Sequence, residues 1–557
     1  MSKATTGRRL RMPVEGMTCR NCEIHVSRAL KQAGARDVTA DFRRGEAQLR
    51  VPAGVSNTSL AEAVRQSGYT PGPIVEETLV AAPADRLSQG KADQRYDLAI
   101  VGSGGGAFAA AIRARDRGAK VVMIERGTIG GTCVNIGCVP SKTLLRGGDV
   151  YWQAGHNPFA GAATKDGPVN LAALVGQKDE LVAQLRQEKY LDLIGEYGWD
   201  LVRGEARFGE DGFLRVDGDL IRANKVLLAT GAAPAVPPIP GLADVDYLTS
   251  TTALSLTTLP EHLVVIGSGF VALELGQLFC HLGSQVTLMQ RSPRILKGYD
   301  PEISESVAGA LTEQGMVFVT GARFDRVEQT NGRVRVHVTV DGAARIVEGD
   351  QLLVATGRAP NTAALGLDRA GVTVGSRGEI LVNEHLQTSN PDVYAAGDVT
   401  LAPQFVYVAA YQGALAAENA LEGNRRTVDL NALPGVTFTN PAIATVGLTE
   451  VQATEAGHEV KTSVLPASAV PRAIVNRDTH GVFKIVADAN TDQILGVHVV
   501  AENAGDVIYA GVLAVKFHIT VQDLVETFAP YLTMAEGLKL AAQSFGRDVH
   551  KLSCCAA

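Results

Sequence analysis

The sequence predicts a multidomain chain of the α/β and α+β classes, in which a small βαββαβ unit precedes two Rossmann-like dinucleotide-binding units. Three observations lead there. Glycine supplies 59 of 557 residues, or 10.6%, against about 7% in an average chain, as turn-rich α/β folds require. The stretch DLAIVGSGGGAFAAAIRARDRGAKVVMIER at Asp97–Arg126 recurs in pattern as HLVVIGSGFVALELGQLFCHLGSQVTLMQR at His262–Arg291, each reading strand, glycine turn, helix, strand. The first 75 residues alternate short strand-like and helix-like stretches in split-βαβ order. The length, at roughly 100–200 residues per domain, accommodates three to five such bodies.

In the N-terminal unit the pattern predicts strands at Leu10–Val14, Val38–Asp41 and Ala47–Val51, helices at Cys22–Gln32 and Leu60–Ser67, and a last strand at Pro73–Val75. Glu76–Arg95 follows, rich in Ala, Pro, Asp, Ser and Gln and without periodicity, and reads as a flexible tether. Both copies of the repeat carry G-x-G-x-x-A, with Gly102, Gly104 and Ala107 in the first and Gly267, Gly269 and Ala272 in the second. Small residues there allow a tight turn and close approach of backbone to a pyrophosphate at a helix N-terminus. Since each follows a strand and opens a helix, two dinucleotide sites are expected. Glu125 ends the second strand of the first copy and Gln290-Arg291 that of the second. An acid there binds ribose hydroxyls and an arginine accommodates a 2′-phosphate, so the first site suits FAD and the second favours NADPH, with Arg294 as a helper; a solvated surface charge is the alternative for Arg291.

The formal charge, 52 − 59 = −7, gives no overall attraction to nucleic acid or anionic lipid. Met1–Arg11 lacks a signal-peptide core, and no run of about eighteen apolar residues occurs. A soluble cytoplasmic protein acting on small molecules, without membrane insertion, is expected. Of seven cysteines, Cys19/Cys22, Cys133/Cys138 and Cys554/Cys555 form close pairs, which points to thiol chemistry or soft-metal binding. Cys280 lies in an apolar run and reads as packing.

GGTCVNIGCVPSK at Gly130–Lys142 places a dithiol directly after the first dinucleotide unit, where it can exchange electrons by thiolate chemistry. With ATG at Ala229–Gly231, ATGRAPN at Ala355–Asn361 and YAAGDV at Tyr394–Val399, the chain from Tyr96 to Gly546 resembles the flavoprotein pyridine nucleotide-disulfide oxidoreductases. The resemblance implies FAD contacts at Ala107, Gly127, Thr132, Lys142, Ala206, Asp398 and Val406. It also implies Cys138 against the flavin, Cys133 facing substrate, a Lys142–Glu274 pair, and Phe270 shielding the nicotinamide face. The implied divisions are 96–240 and 361–429 for the FAD-binding domain, 241–360 for the NADPH-binding domain, 430–546 for a dimerisation domain, and 547–557 for a mobile tail. Family members that reduce disulfides carry His-Pro-Thr-x-x-Glu near the C-terminus; here Tyr531 replaces the histidine while Thr533 and Glu536 remain. A phenol with an ordinary pKa of about 10 is a poor proton acceptor near neutrality, so a substrate needing no such base is implied.

Cys554-Cys555 near the C-terminus offers two soft ligands, with chance cysteines or a dithiol relay to a protein disulfide as alternatives. Gly16-Met17-Thr18-Cys19-Arg20-Asn21-Cys22 opens a predicted helix, where thiols are acidified; it resembles the ferredoxin-like heavy-metal-associated domains. A thioredoxin-like redox pair is the alternative there. Together the parts resemble the mercuric reductase family. That implies Cys19 and Cys22 capturing Hg(II), Cys554 and Cys555 of a neighbouring subunit relaying it, Cys133 and Cys138 holding it for reduction, and Tyr190 and Tyr531 lining the inner site. A homodimer follows, with Hg(II)–thiol complexes and a mercury transporter as candidate partners. A thioredoxin-reductase-like enzyme using the tail as electron relay is the second reading.

Overall fold

The computed structural model describes residues 8–17, 20–41, 45–52, 55–76, 95–548 and 551. The chain divides into two compact units, Met1–Gly90 and Lys91–Ala557. Cys19, Cys554 and Cys555 lie outside the described residues, as do the side chain of Cys22 and most of the predicted tether.

The first unit is an antiparallel sheet with two helices. Strand Arg8–Glu15 is central, paired on one side with Glu46–Val51, which in turn pairs with Arg36–Asp41. Its alternate residues Leu10, Met12 and Val14 point inward and are buried, as a period of two demands of a half-buried strand. Helices Arg20–Gln32 and Asn57–Gln66 supply Val26 with Leu30 and Leu60 with Val64, each an i, i+4 pair on one face. Ser56 caps the second helix by accepting from the Ser59 amide at 3.1 Å. The predicted last strand is differently built. Thr70–Pro71 pairs with Val14 and Glu15, and Val75–Glu76 with Leu10 and Arg11. The ladder breaks between them at Pro73, which has no N–H to donate, after the Gly72 amide has donated to the Pro13 carbonyl at 2.7 Å.

In the second unit the first repeat folds as strand Arg95–Val101, helix Gly105–Asp116 and strand Val121–Glu125. These strands sit in a five-stranded parallel sheet ordered Val393–Ala395, Arg222–Leu228, Arg95–Val101, Val121–Glu125, Asp200–Arg203. Ala99, Ile100 and Leu227 are fully buried, as expected of a sheet covered on both faces. The second repeat, strand His262–Ile266, helix Phe270–His281 and strand Gln285–Met289, lies in a four-stranded parallel sheet with Met316–Val319 and Gln351–Val354. Gln290 and Arg291 fall just past its strand end. A five-stranded antiparallel sheet, Pro434–Thr437, Ala442–Gly447, Ile494–Ala501, Val482–Asp488 and Val460–Pro466, forms the C-terminal layer. Lys484 is fully buried within it, answered by Glu450 at 2.9 Å, Glu302 at 3.1 Å and Asp300 at 3.3 Å. Because Asp300 and Glu302 come from the neighbouring nucleotide-binding layer, this cation pins the two layers together. Among the described residues no helix is long and apolar enough to cross a membrane.

Candidate active site

The two glycine turns are built identically. Gly102 has φ +111 and its amide donates to Ile124 at 2.8 Å; Gly267 has φ +125 and donates to Met289 at 2.9 Å. Behind each sits an ATG segment, since the Ala229 amide donates to Val101 and the Ala355 amide to Ile266, both at 2.9 Å. A Cβ on Gly102 or Gly267 would stand 2.3 Å from the carbonyl oxygen of Ala229 or Ala355. The first glycine of each motif is therefore demanded by its ATG partner as well as by the turn. At Gly269 a Cβ would meet nothing within 4 Å, and Gly104 faces only Gly131 Cα at 3.9 Å, which leaves room for a ligand over both helix N-termini. Neither helix has a side-chain cap, so its first amides point at that space.

The first turn fits an adenine dinucleotide. A cavity of about 340 Å³ opens beside it, lined among others by Gly102, Glu125, Gly204, Ala206 and Thr230. Glu125 is fixed by the Ser103 hydroxyl and the Gly127 amide, each donating at 2.6 Å, which leaves acceptor capacity for ribose hydroxyls. Farther in, Asp398 is raised above the ordinary carboxylate range by burial. Arg358 stands 3.6 Å from it, with a buried Nε that lacks a hydrogen-bond partner. The buried Gln404 Nε2 is also unpartnered. Two buried donors without hydrogen-bond partners suit a polar cofactor, because burying them unpaired is costly. Val406 starts helix Val406–Glu422 and lies against Gly105, whose Cβ would be 3.0 Å from Val406 Cγ2. Thr132 is half-buried next to Cys133.

The dithiol spans a break between two helices. Cys133 belongs to Gly131–Ile136 and Cys138 opens Cys138–Gly155, with Gly137 between them. Both are free thiols, and they are unequal. Cys138 is lowered to about 7, chiefly by the hydrogen bond from Cys133 and further by Lys142, against the opposing effect of burial. Cys133 is raised, first by that same bond and then by burial. A helix N-terminus under Cys138 acts in the same direction as Lys142.

Lys142 Nζ donates to Glu274 Oε2 at 2.7 Å, forming the pair the resemblance implied, and lies 4.7 Å from the Phe438 ring centroid. The other oxygen, Oε1, accepts from the Phe438 amide at 2.9 Å. The next two turns of the second dinucleotide helix continue this polar seam. Gln277 accepts from the Asn440 amide at 2.8 Å and donates to its carbonyl at 2.7 Å, and His281 meets Gln314 at 3.0 Å and Asp149 at 3.3 Å. Sequence reasoning missed Phe438 and Gln277, because their partners are more than 160 residues away. Cys280, on the same helix, is buried and donates to Gln314 O at 3.3 Å.

Tyr190 rides on a single π-turn, Gln187–Leu191, the kind of bulge that re-aims a side chain. Its ring meets Phe108 edge-on at 4.7 Å and stands 3.4 Å from where a Gly130 Cβ would be. Its phenol is pushed up to about 12, mainly by burial and then by Cys133 and Cys138, so it stays protonated beside the thiols. Tyr531 lies half-exposed before helix Glu536–Gln543, whose first residue, Glu536, is buried with Oε2 unpartnered and raised by burial. At the second turn Phe270 is 40% exposed and Ala272 buried. Arg291 is exposed. One nitrogen of Arg294, Nη2, donates to the backbone oxygens of Tyr299 at 2.9 Å and Lys297 at 3.4 Å, which holds this side chain in the loop just after Arg291.

Two dinucleotide turns converging on a dithiol define a flavoprotein that takes electrons from a pyridine nucleotide. The chain belongs to the pyridine nucleotide-disulphide oxidoreductase family, whose pattern matches residues 96–413. The family's dimerisation domain matches 433–542, and a heavy-metal-associated domain matches 11–70. Among its relatives, a mercuric reductase of Staphylococcus aureus is 57% identical over 98% of this chain and 99% of that protein. One of Shigella flexneri is 41% identical over 98% and 99%. A solved structure, the Cu(II) complex of the HOCl-induced flavoprotein disulfide reductase RclA from Escherichia coli, is 30% identical with TM-score 0.73. It covers 82% of this chain and all of that one.

Proposed function

We propose that the protein reduces Hg(II) to elemental mercury at the expense of NADPH. The observation that carries this reading is the near-full-length likeness to proteins named mercuric reductase; the site geometry supports it. Two thiols of unequal acidity, one ready as a thiolate near neutrality, suit a soft ion that accepts two sulfur ligands. Where disulfide reductases would carry an imidazole, Tyr531 offers a phenol. That loss matters little for a metal, whose transfer proceeds by thiolate displacement.

Cys133 and Cys138 hold the ion, and Lys142, fixed by Glu274, keeps positive charge beside the Cys138 thiolate. Tyr190 supplies a neutral hydroxyl at the same place. Gly102, Gly104, Ala107, Glu125, Gly127, Thr132, Ala206, Asp398 and Val406 cradle FAD. Gly267, Gly269, Ala272 and Arg291 take NADPH, with Phe270 covering the nicotinamide. FAD, when bound, carries the electron pair from the nicotinamide to the metal site. Cys19 and Cys22 collect Hg(II), and Cys554 and Cys555 deliver it to the site of the partner in a homodimer, where Tyr531 and Glu536 also act. An apolar stripe on helix Ala504–Lys516, Tyr509 and Leu513, continued by Phe517, supports that association. The need for NADPH and thiol-bound Hg(II) suits a cytoplasmic site of action, with a mercury transporter as a candidate donor.

The test is NADPH oxidation by the purified holoenzyme with Hg(II) in excess small thiol, beside oxidised glutathione, lipoamide and thioredoxin. Turnover with Hg(II) that exceeds all three is expected. Turnover with thioredoxin alone would instead make the tail an electron relay.

A further inference from the structure

Phe270 is the near end of an aromatic stack whose other two rings, Phe405 and Tyr407, have no role in the reading above. Phe270, the first residue of the second dinucleotide helix, projects 40% exposed beside the glycine turn. Its ring lies 6.4 Å from that of Phe405 at 29°, and Phe405 in turn lies 5.1 Å from Tyr407 at 7°. Phe405 and Tyr407 flank Val406 at the start of helix Val406–Glu422. The far end of the stack is anchored twice on strand Pro434–Thr437 of the C-terminal layer. The Tyr407 hydroxyl donates to the Pro434 carbonyl, and a Cβ on Gly435 would stand 3.4 Å from Phe405 Cζ. Tyr407 is therefore held at its phenol and Phe405 lies between two neighbouring rings, whereas Phe270, at the near end, meets the stack through Phe405 alone.

We propose that Phe405 and Tyr407 are positioning residues that hold Phe270 over the nicotinamide pocket, so that nucleotide must break the Phe270–Phe405 contact to bind. This rests on the reading of Phe270 as the residue that covers the nicotinamide. A ring that must swing aside taxes binding by the stability of its closed position, and stacked aromatic pairs contribute on the scale of a few-fold to tenfold in an equilibrium. Anchoring on Pro434 makes that tax depend on where the C-terminal layer sits.

The experiment titrates NADP⁺ into full-length holoenzyme, following flavin absorbance at equilibrium, for Phe270→Ala, Phe405→Leu, the double variant, Phe405→Tyr and Tyr407→Phe. Flavin content and thermal midpoint serve as controls. Phe270→Ala is expected to lower Kd about fivefold, which is about 1 kcal/mol at 1.4 kcal/mol per tenfold. Phe405→Leu should lower it about threefold, the double variant should match Phe270→Ala alone, Tyr407→Phe should lower it about twofold, and Phe405→Tyr should bind like the parent. An unchanged Kd in Phe405→Leu, or additive effects in the double variant, with Phe270→Ala still tighter, would overturn the positioning role and leave the gate standing. An unchanged Kd in Phe270→Ala would remove the gate itself and the proposal with it.

Discussion

Replacing the first glycine of each dinucleotide turn by alanine should separate the two cofactors. In Gly102→Ala the new methyl would stand 2.3 Å from Ala229 O, and in Gly267→Ala 2.3 Å from Ala355 O, where ordinary contact begins near 3.4 Å. The ATG segment behind each turn must retreat by about 1 Å, and overpacking of that kind costs about 1–3 kcal/mol. The φ values of +111 and +125 add strain of about 1–3 kcal/mol for a residue with a Cβ. Even if half is relieved by local movement, about 1–3 kcal/mol is taken from the turn that faces the pyrophosphate, or about one to two powers of ten in Kd. Gly102→Ala is expected to emerge from gel filtration depleted of FAD. Gly267→Ala should keep its FAD and lose NADP⁺ binding in an absorbance titration. Thermal unfolding of each variant with added FAD separates a distorted turn from a failed fold. Retention of FAD by Gly102→Ala at parental affinity, or loss of FAD by Gly267→Ala, would refute the assignment of the two repeats.

Alkylation of reduced enzyme by iodoacetamide, read at Cys138 by peptide mapping, should rise with pH through a midpoint of about 7, because the thiolate forms above that pH. Lys142→Met removes a stabilising charge and should move the midpoint upward; an unmoved midpoint would contradict the role given to Lys142. Tyr190→Phe should depress Hg(II) turnover without altering the shape of its pH profile between about pH 6 and 9, since the phenol titrates only near 12. NADPH-to-flavin transfer should be spared, and an altered profile would count against that assignment. Lys484→Met leaves Asp300, Glu302 and Glu450 without their cation. Urea unfolding should show a loss of about 3 kcal/mol, as for a broken buried pair, and a loss under about 1 kcal/mol would contradict the pin between layers.

What was legible in the sequence was what local backbone geometry requires. The glycines of both turns, the alternation of Leu10, Met12 and Val14, and the Lys142–Glu274 pair follow from spacing or from family motifs. What was illegible depends on distant segments meeting. Nothing near Gln277 signals that its amide will close on Asn440, nor near Phe405 that it will stack on Phe270. The π-turn that aims Tyr190 has no compositional mark in Gln187–Leu191. Nothing near Arg294 in sequence signals that its Nη2 will be held by the backbone oxygens of Lys297 and Tyr299. The split last strand of the N-terminal unit was readable in principle, since Pro71 and Pro73 bracket Gly72.

The central claim is that electrons from NADPH end on mercury. The most direct measurement is the stoichiometry of volatile elemental mercury trapped from a sealed reaction against NADPH consumed, with Hg(II) held in excess thiol. Each two-electron NADPH should release one atom of mercury, with neither product appearing when Cys133 and Cys138 are both replaced by serine. NADPH consumption without evolved mercury, or mercury evolved equally by the double serine variant, would contradict the account.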